Sequence, residues 1–99
     1  MPIFSENSAP VTPATSLTIT SANTSQQVFG NQKRSYLLVQ NTSDTDMWLA
    51  IGTTPSVGTG IRLLAGGGGY VAEEGFIPSG AVNIICSVVG KSFYALQGG

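Results

Sequence analysis

The side chains that could do chemistry here are five carboxylates, one thiol and an abundance of hydroxyls. The chain has no histidine, so the commonest general base and metal ligand is missing. The carboxylates are Glu6, Asp44, Asp46, Glu73 and Glu74. A glycosidase needs two of them held across a sugar. Asp44 and Asp46 instead share one short polar stretch, and Glu73 and Glu74 are adjacent, where successive side chains of an extended segment point apart. No Ser or Thr has an evident base to activate it. Asn41, Asp44 and Asp46 would offer oxygens to a calcium ion, but the same residues in a turn hydrogen-bond their own backbone, which is the expectation. The run Gly66-Gly67-Gly68-Gly69 invites a phosphate-loop reading, which requires Lys, then Ser or Thr, and a helix start. Tyr70-Val71-Ala72 follows instead, so a turn or wide bulge is expected. Cys86 falls in the apolar run Val82 to Val89, which predicts a buried, inert thiol. The residues point to no enzyme, no metal and no cofactor.

The elements that carry these residues read as short strands. Tyr36 to Val39 is a continuous apolar run, which suits a central strand buried on both faces. Asn41 to Asp46 is turn chemistry, and Met47 to Ile51 is expected to return antiparallel as the second arm of a hairpin. Ser16 to Thr20 alternates like a half-exposed strand, and Gln26 to Phe29 follows it. Ile61 to Leu64, Tyr70 to Ala72, Val82 to Val89 and Ser92 to Gln97 complete the set, the last two joined by a tight turn at Gly90. Phe76 and Ile77 are expected to tuck against the core. Turn signals every 8–12 residues indicate a sandwich or barrel, and no segment has helical periodicity. The expected core is Leu17, Ile19, Leu37, Val39, Leu49, Ile51, Ile84, Cys86 and Leu96. Trp48 points away from Met47 and Leu49, toward a second sheet or a partner. Residues 1–15, with Pro2, Pro10 and Pro13, read as an extended arm, and residues 16–99 as the β-domain. Within the arm, Pro2, Ile3 and Phe4 are the candidate partner contacts.

Composition narrows the function. Charged residues make up only 9% of the 99 residues, against about 25% in typical soluble domains. A weakly charged surface is a poor way to keep a free monomer soluble, so life inside an assembly is expected. Four Lys and Arg and a net charge of -1 cannot build the basic face that nucleic acid requires. No run approaches the ~18 apolar residues of a membrane span. The first residues show neither the basic region nor the apolar core of a signal peptide, which sets the expectation of synthesis in a cytoplasm.

The segment from Lys33-Arg34 through Ser35-Tyr36-Leu37-Leu38-Val39-Gln40-Asn41, with Met47 to Gly52, Leu63-Leu64-Ala65-Gly66-Gly67 and Val82 to Leu96, resembles small virion proteins of tailed bacteriophages. Their pattern runs from a basic residue into an apolar strand ending Gln-Asn, then an apolar strand ending in Gly and a Leu-x-x-Gly-Gly segment. The resemblance covers roughly residues 16–97. It implies a small antiparallel β-sandwich or jelly-roll-like barrel, made in a host bacterial cytoplasm and assembled on the particle exterior. Its expected role is capsid decoration or cement; a tail or neck component and a glycan-binding attachment module are the alternatives. The implied partners are the major capsid protein or another virion protein, together with copies of the chain itself, as a trimer, which the analogy favours, or a dimer.

Overall fold

The computed structural model describes residues 11–99. It holds eight strands: β1 (Val11–Pro13), β2 (Gln26–Phe29), β3 (Tyr36–Asn41), β4 (Met47–Ile51), β5 (Ile61–Leu63), β6 (Gly69–Ala72), β7 (Val82–Cys86) and β8 (Phe93–Gly98). The described residues contain no helix. The pairings nest: β1 with β8, β2 with β7, β3 with β6 and β4 with β5, all antiparallel. The chain is therefore doubled back as one long hairpin whose tip is the loop after β4. Rolling that hairpin brings β8 against β3 and β7 against β4. Two four-stranded sheets result, ordered β1-β8-β3-β6 and β2-β7-β4-β5. This is a two-layer all-β sandwich with the strand order of a jelly roll.

Rolling corrects two expectations. β3 and β4 do not form a hairpin, because they belong to different sheets, and the same is true of β7 and β8. In a hairpin, the inward residues of both strands would line one face of one sheet. Here Leu37 and Val39 from the first sheet face Met47 and Leu49 from the second, and all four are fully buried. The loops after β3 and β7 are long enough to bridge the ~10 Å between stacked sheets, so burial decides against the hairpin.

Nor is β3 buried on both faces. Its burial alternates, with Leu37, Val39 and Asn41 inside and Tyr36, Leu38 and Gln40 half-exposed. The expected core holds at Ile19, Leu37, Val39, Leu49, Ile84 and Cys86, with Leu17 and Ile51 partly buried against it. Leu96 points outward, because Phe93 and Ala95 take the inward parity of β8. Met47, Leu63, Val82 and Phe29 complete the interior.

Three further segments depart from the sequence reading. Ser16 to Thr20 is no regular strand, having one isolated bridge between Thr18 and Ser92. It is the crossing from β1 in one sheet to β2 in the other, so it pairs only in passing, as when Phe93 N donates to Leu17 O at 2.9 Å. Val11–Thr15 belongs to the sandwich rather than to the arm. β1 pairs along β8, and Ala14 is buried, with its N–H donating to Ala95 O at 3.0 Å. Pro13 is tolerated because β1 is an edge strand that needs no outward donor. Phe76 is not tucked in: it is 85% exposed, while Ile77 packs against the core beyond a left-handed turn at Gly75.

Candidate functional site

The end of β3 and the loop that follows it hold the three residues considered for calcium, and each is otherwise engaged. Asn41 is fully buried. Its Nδ2 donates to Thr45 O at 2.8 Å and to Leu63 O at 2.9 Å. Its Oδ1 accepts from Ser43 N at 2.9 Å and from Ser43 Oγ at 2.7 Å. This is the expected Asx turn, extended into a clasp between the loop and β5. Asp46 Oδ1 accepts from Ala65 N at 2.8 Å, and Arg62 Nε donates to Oδ2 at 3.0 Å. Asp44 pairs with Lys91 at 2.7 Å. Among the described residues, no three His, Cys, Asp or Glu side chains group as metal ligands.

These partners hold both carboxyls below the ordinary carboxylate value. The Ala65 amide and then Arg62 are responsible at Asp46, and Lys91 and then Thr45 at Asp44. A depressed folded-state pKa contributes stability above the unfolded value that is lost as pH falls through the folded one. The urea midpoint is therefore expected to drop as pH falls through and below the ordinary carboxylate range, and Asp46→Asn to flatten that drop. An unchanged acid profile in Asp46→Asn would show that the carboxylate contributes nothing.

Arg34 differs from its neighbour Lys33 in a way that the sequence does not show. The pair Lys33-Arg34 suggests a solvated loop edge, and Lys33 is exposed, but Arg34 is only 6% exposed. Its Nε donates to Gln97 Oε1 at 2.9 Å, Nη1 to Pro78 O at 2.6 Å and Gly80 O at 3.1 Å, and Nη2 to Gly30 O at 2.9 Å. Burial lowers its pKa, yet a guanidinium stays protonated in a protein. The cation thus ties the end of β8 to the loops before β3 and before β7. No signal in the sequence distinguishes it from its neighbour. Both ends of the Arg34 to Asn41 stretch prove structural: the basic residue and the terminal Asn are the two buried polar clasps.

The surfaces open to a partner are the outer faces of the two sheets. Trp48 lies on the outer face of the second sheet, opposite Ile85 on β7 and Arg62 on β5. It is half-exposed, and its surroundings are mixed: Asp46 with Arg62 on one side, Asn83 bonded to Thr53 O on the other. Of the sequence-predicted contacts, Trp48 is the one the structure places. Pro2, Ile3 and Phe4 lie outside the described residues.

The outer face of the first sheet is different in kind. A cross-strand row runs Val71, Leu38, Leu96, Pro13 over β6, β3, β8 and β1. On one side stand Val11 and Tyr36, on the other Tyr94 and Gln40. Val11 is 52% exposed, Val71 48% and Tyr94 38%. No charged side chain stands within these four strands. The sequence contained the signal for this face in its unbroken apolar runs at Tyr36 to Val39, Tyr70 to Ala72 and Phe93 to Leu96. That pattern belongs to strands covered on both sides, and here, among the described residues, no second layer covers the outer side. No protein-family model, no curated protein and no solved structure matches the chain.

Proposed function

We propose that this chain is a non-enzymatic structural protein of a tailed-bacteriophage virion, a capsid decoration or cement protein that binds the outside of the head and stabilises it. The observation that carries the reading is the uncharged apolar outer face of β1-β8-β3-β6. A free monomer would set charge there for solubility, whereas a protein that lives packed in an assembly avoids desolvating charge. The resemblance supplies the virion, and the jelly-roll order is compatible with it, since such folds serve capsid and lectin domains alike. The major capsid protein is the proposed partner, with a tail or neck protein as the alternative at the same level.

In this reading Pro2, Ile3 and Phe4 anchor the protein to the particle. Deleting residues 1–10 tests it without touching β1. The truncated protein is expected to melt like the full chain and to bind particles lacking the protein at least ten-fold more weakly. Equal binding would remove the anchor, and failure of the full chain to bind heads at all would remove the decoration role. A glycan-binding attachment module is the second reading, favoured by the half-exposed Trp48. Glycan-array binding abolished by Trp48→Ala in a folded protein would place it first.

A further inference from the structure

We infer that the outer face of β1-β8-β3-β6 is a self-association surface, on which a second copy of this chain stacks the same face about a two-fold axis. The inference deepens the assembly part of the proposed function and needs none of its virion part. Three observations select a second copy over other occupants.

The first is charge. A two-fold axis brings every group near its own duplicate, so a charged face repels itself and an uncharged one does not. The four strands carry Val, Leu, Pro, Tyr and Gln side chains on this face and no Asp, Glu, Lys or Arg. An occupant with charges would have to desolvate them against a surface offering no counter-charge. The occupant must therefore be flat, apolar and uncharged. Of the two outer sheet faces, the second carries the Arg62–Asp46 pair, which leaves the first face itself as the surface meeting those conditions.

The second is register. The row Val71, Leu38, Leu96, Pro13 crosses the middle of the face. An axis lying along it stacks apolar row on apolar row, as in ordinary sheet-on-sheet packing. The same rotation reverses the strand direction. It carries the Tyr36 and Val11 end of one copy over the Tyr94 and Gln40 end of the other, so that Tyr36 of each copy lies over Gln40 of its partner and Tyr94 over the side-chain-free Gly98.

The third is size. Four strands ~4.8 Å apart, with two or three outward positions each, give a footprint of roughly 300 Å² per copy. The bare face thus lies in the range of apolar patches that are often functional. Two footprints together stay below the ~1,200 Å² of stable specific complexes. The surface therefore fits a reversible dimer that strengthens only when many copies are held on one scaffold.

The test is sedimentation velocity of the full chain from about 1 µM to about 1 mM, without any particle present. The expected result is a concentration-dependent shift from monomer to dimer. Val71→Glu, on an edge strand and already half in water, is expected to weaken the dimer at least ten-fold by placing like charges together across the axis. Tyr94→Glu serves as a second variant from another strand, and circular dichroism confirms that each is folded. Gln27→Glu, on the edge of the second sheet, is expected to change nothing. A wild type that stays monomeric throughout, or a dimer that both face variants leave intact, overturns the inference. Particle binding without self-association would leave the proposed function standing and sink this surface.

Discussion

Arg34→Ala is expected to remove about 3–5 kcal/mol of folding stability, a large share of the 5–10 kcal/mol typical of a domain this size. The guanidinium is nearly sealed from solvent and makes four hydrogen bonds, three of them to the carbonyls of Gly30, Pro78 and Gly80. Each bond to a charged donor contributes roughly 1.5–3 kcal/mol, and each carbonyl left dry loses a comparable amount. Against this stands the relief of a buried cation that has no carboxylate partner among the hydrogen bonds it makes. Water entering the vacated space offsets part of the loss as well, which is why the sum of four bonds is not reached. Arg34→Lys is expected to rescue little, because an ammonium cannot present the planar fork that reaches three separate segments. Urea denaturation of both variants measures the effect. A loss under about 1 kcal/mol for alanine would mean that water replaces the guanidinium adequately.

Leu37→Ala comes next, with an expected loss of about 3–4 kcal/mol from transfer and cavity terms together. Leu37 is fully buried on β3, flanked by β6 and β8 through its pairings with Ala72 and Gln97. A side chain held between two strand neighbours and a facing sheet leaves a cavity that the backbone cannot close. Leu38→Ala, one residue on, is expected to cost less than about 1.5 kcal/mol, since its side chain is half in water and leaves no sealed void. The contrast between the neighbours is the sharper measurement. Equal losses would mean that the outer face is covered in the isolated chain, against the alternation of β3.

How much of this was legible in advance follows from what a side-chain pattern encodes. Apolar runs of strand length, turn residues between them and the lack of helical period were enough for an all-β domain with antiparallel pairing. They also placed most of the strands, because these are local properties of the chain. The buried positions Leu37, Val39, Leu49, Ile84 and Cys86 were readable for the same reason, as was the Asx turn at Asn41.

Which strand pairs with which was not local. Tyr36 to Asn41 and Met47 to Ile51 look like a hairpin, since the pattern records only that each has one apolar face. Two faces can be buried in one sheet or across two, and only the packing of the whole chain selects the second. The same selection turned Leu96 outward and left Leu38 half-exposed, because Phe93 and Ala95 fill the interior first. It also drew Arg34 inside, where the carbonyls of Pro78 and Gly80, far along the chain, converge on the guanidinium together with that of nearby Gly30. Local residue pattern thus set the strands and their apolar content. The tertiary structure decided which of that apolar surface stays exposed, because burial depends on the space left by residues far away along the chain.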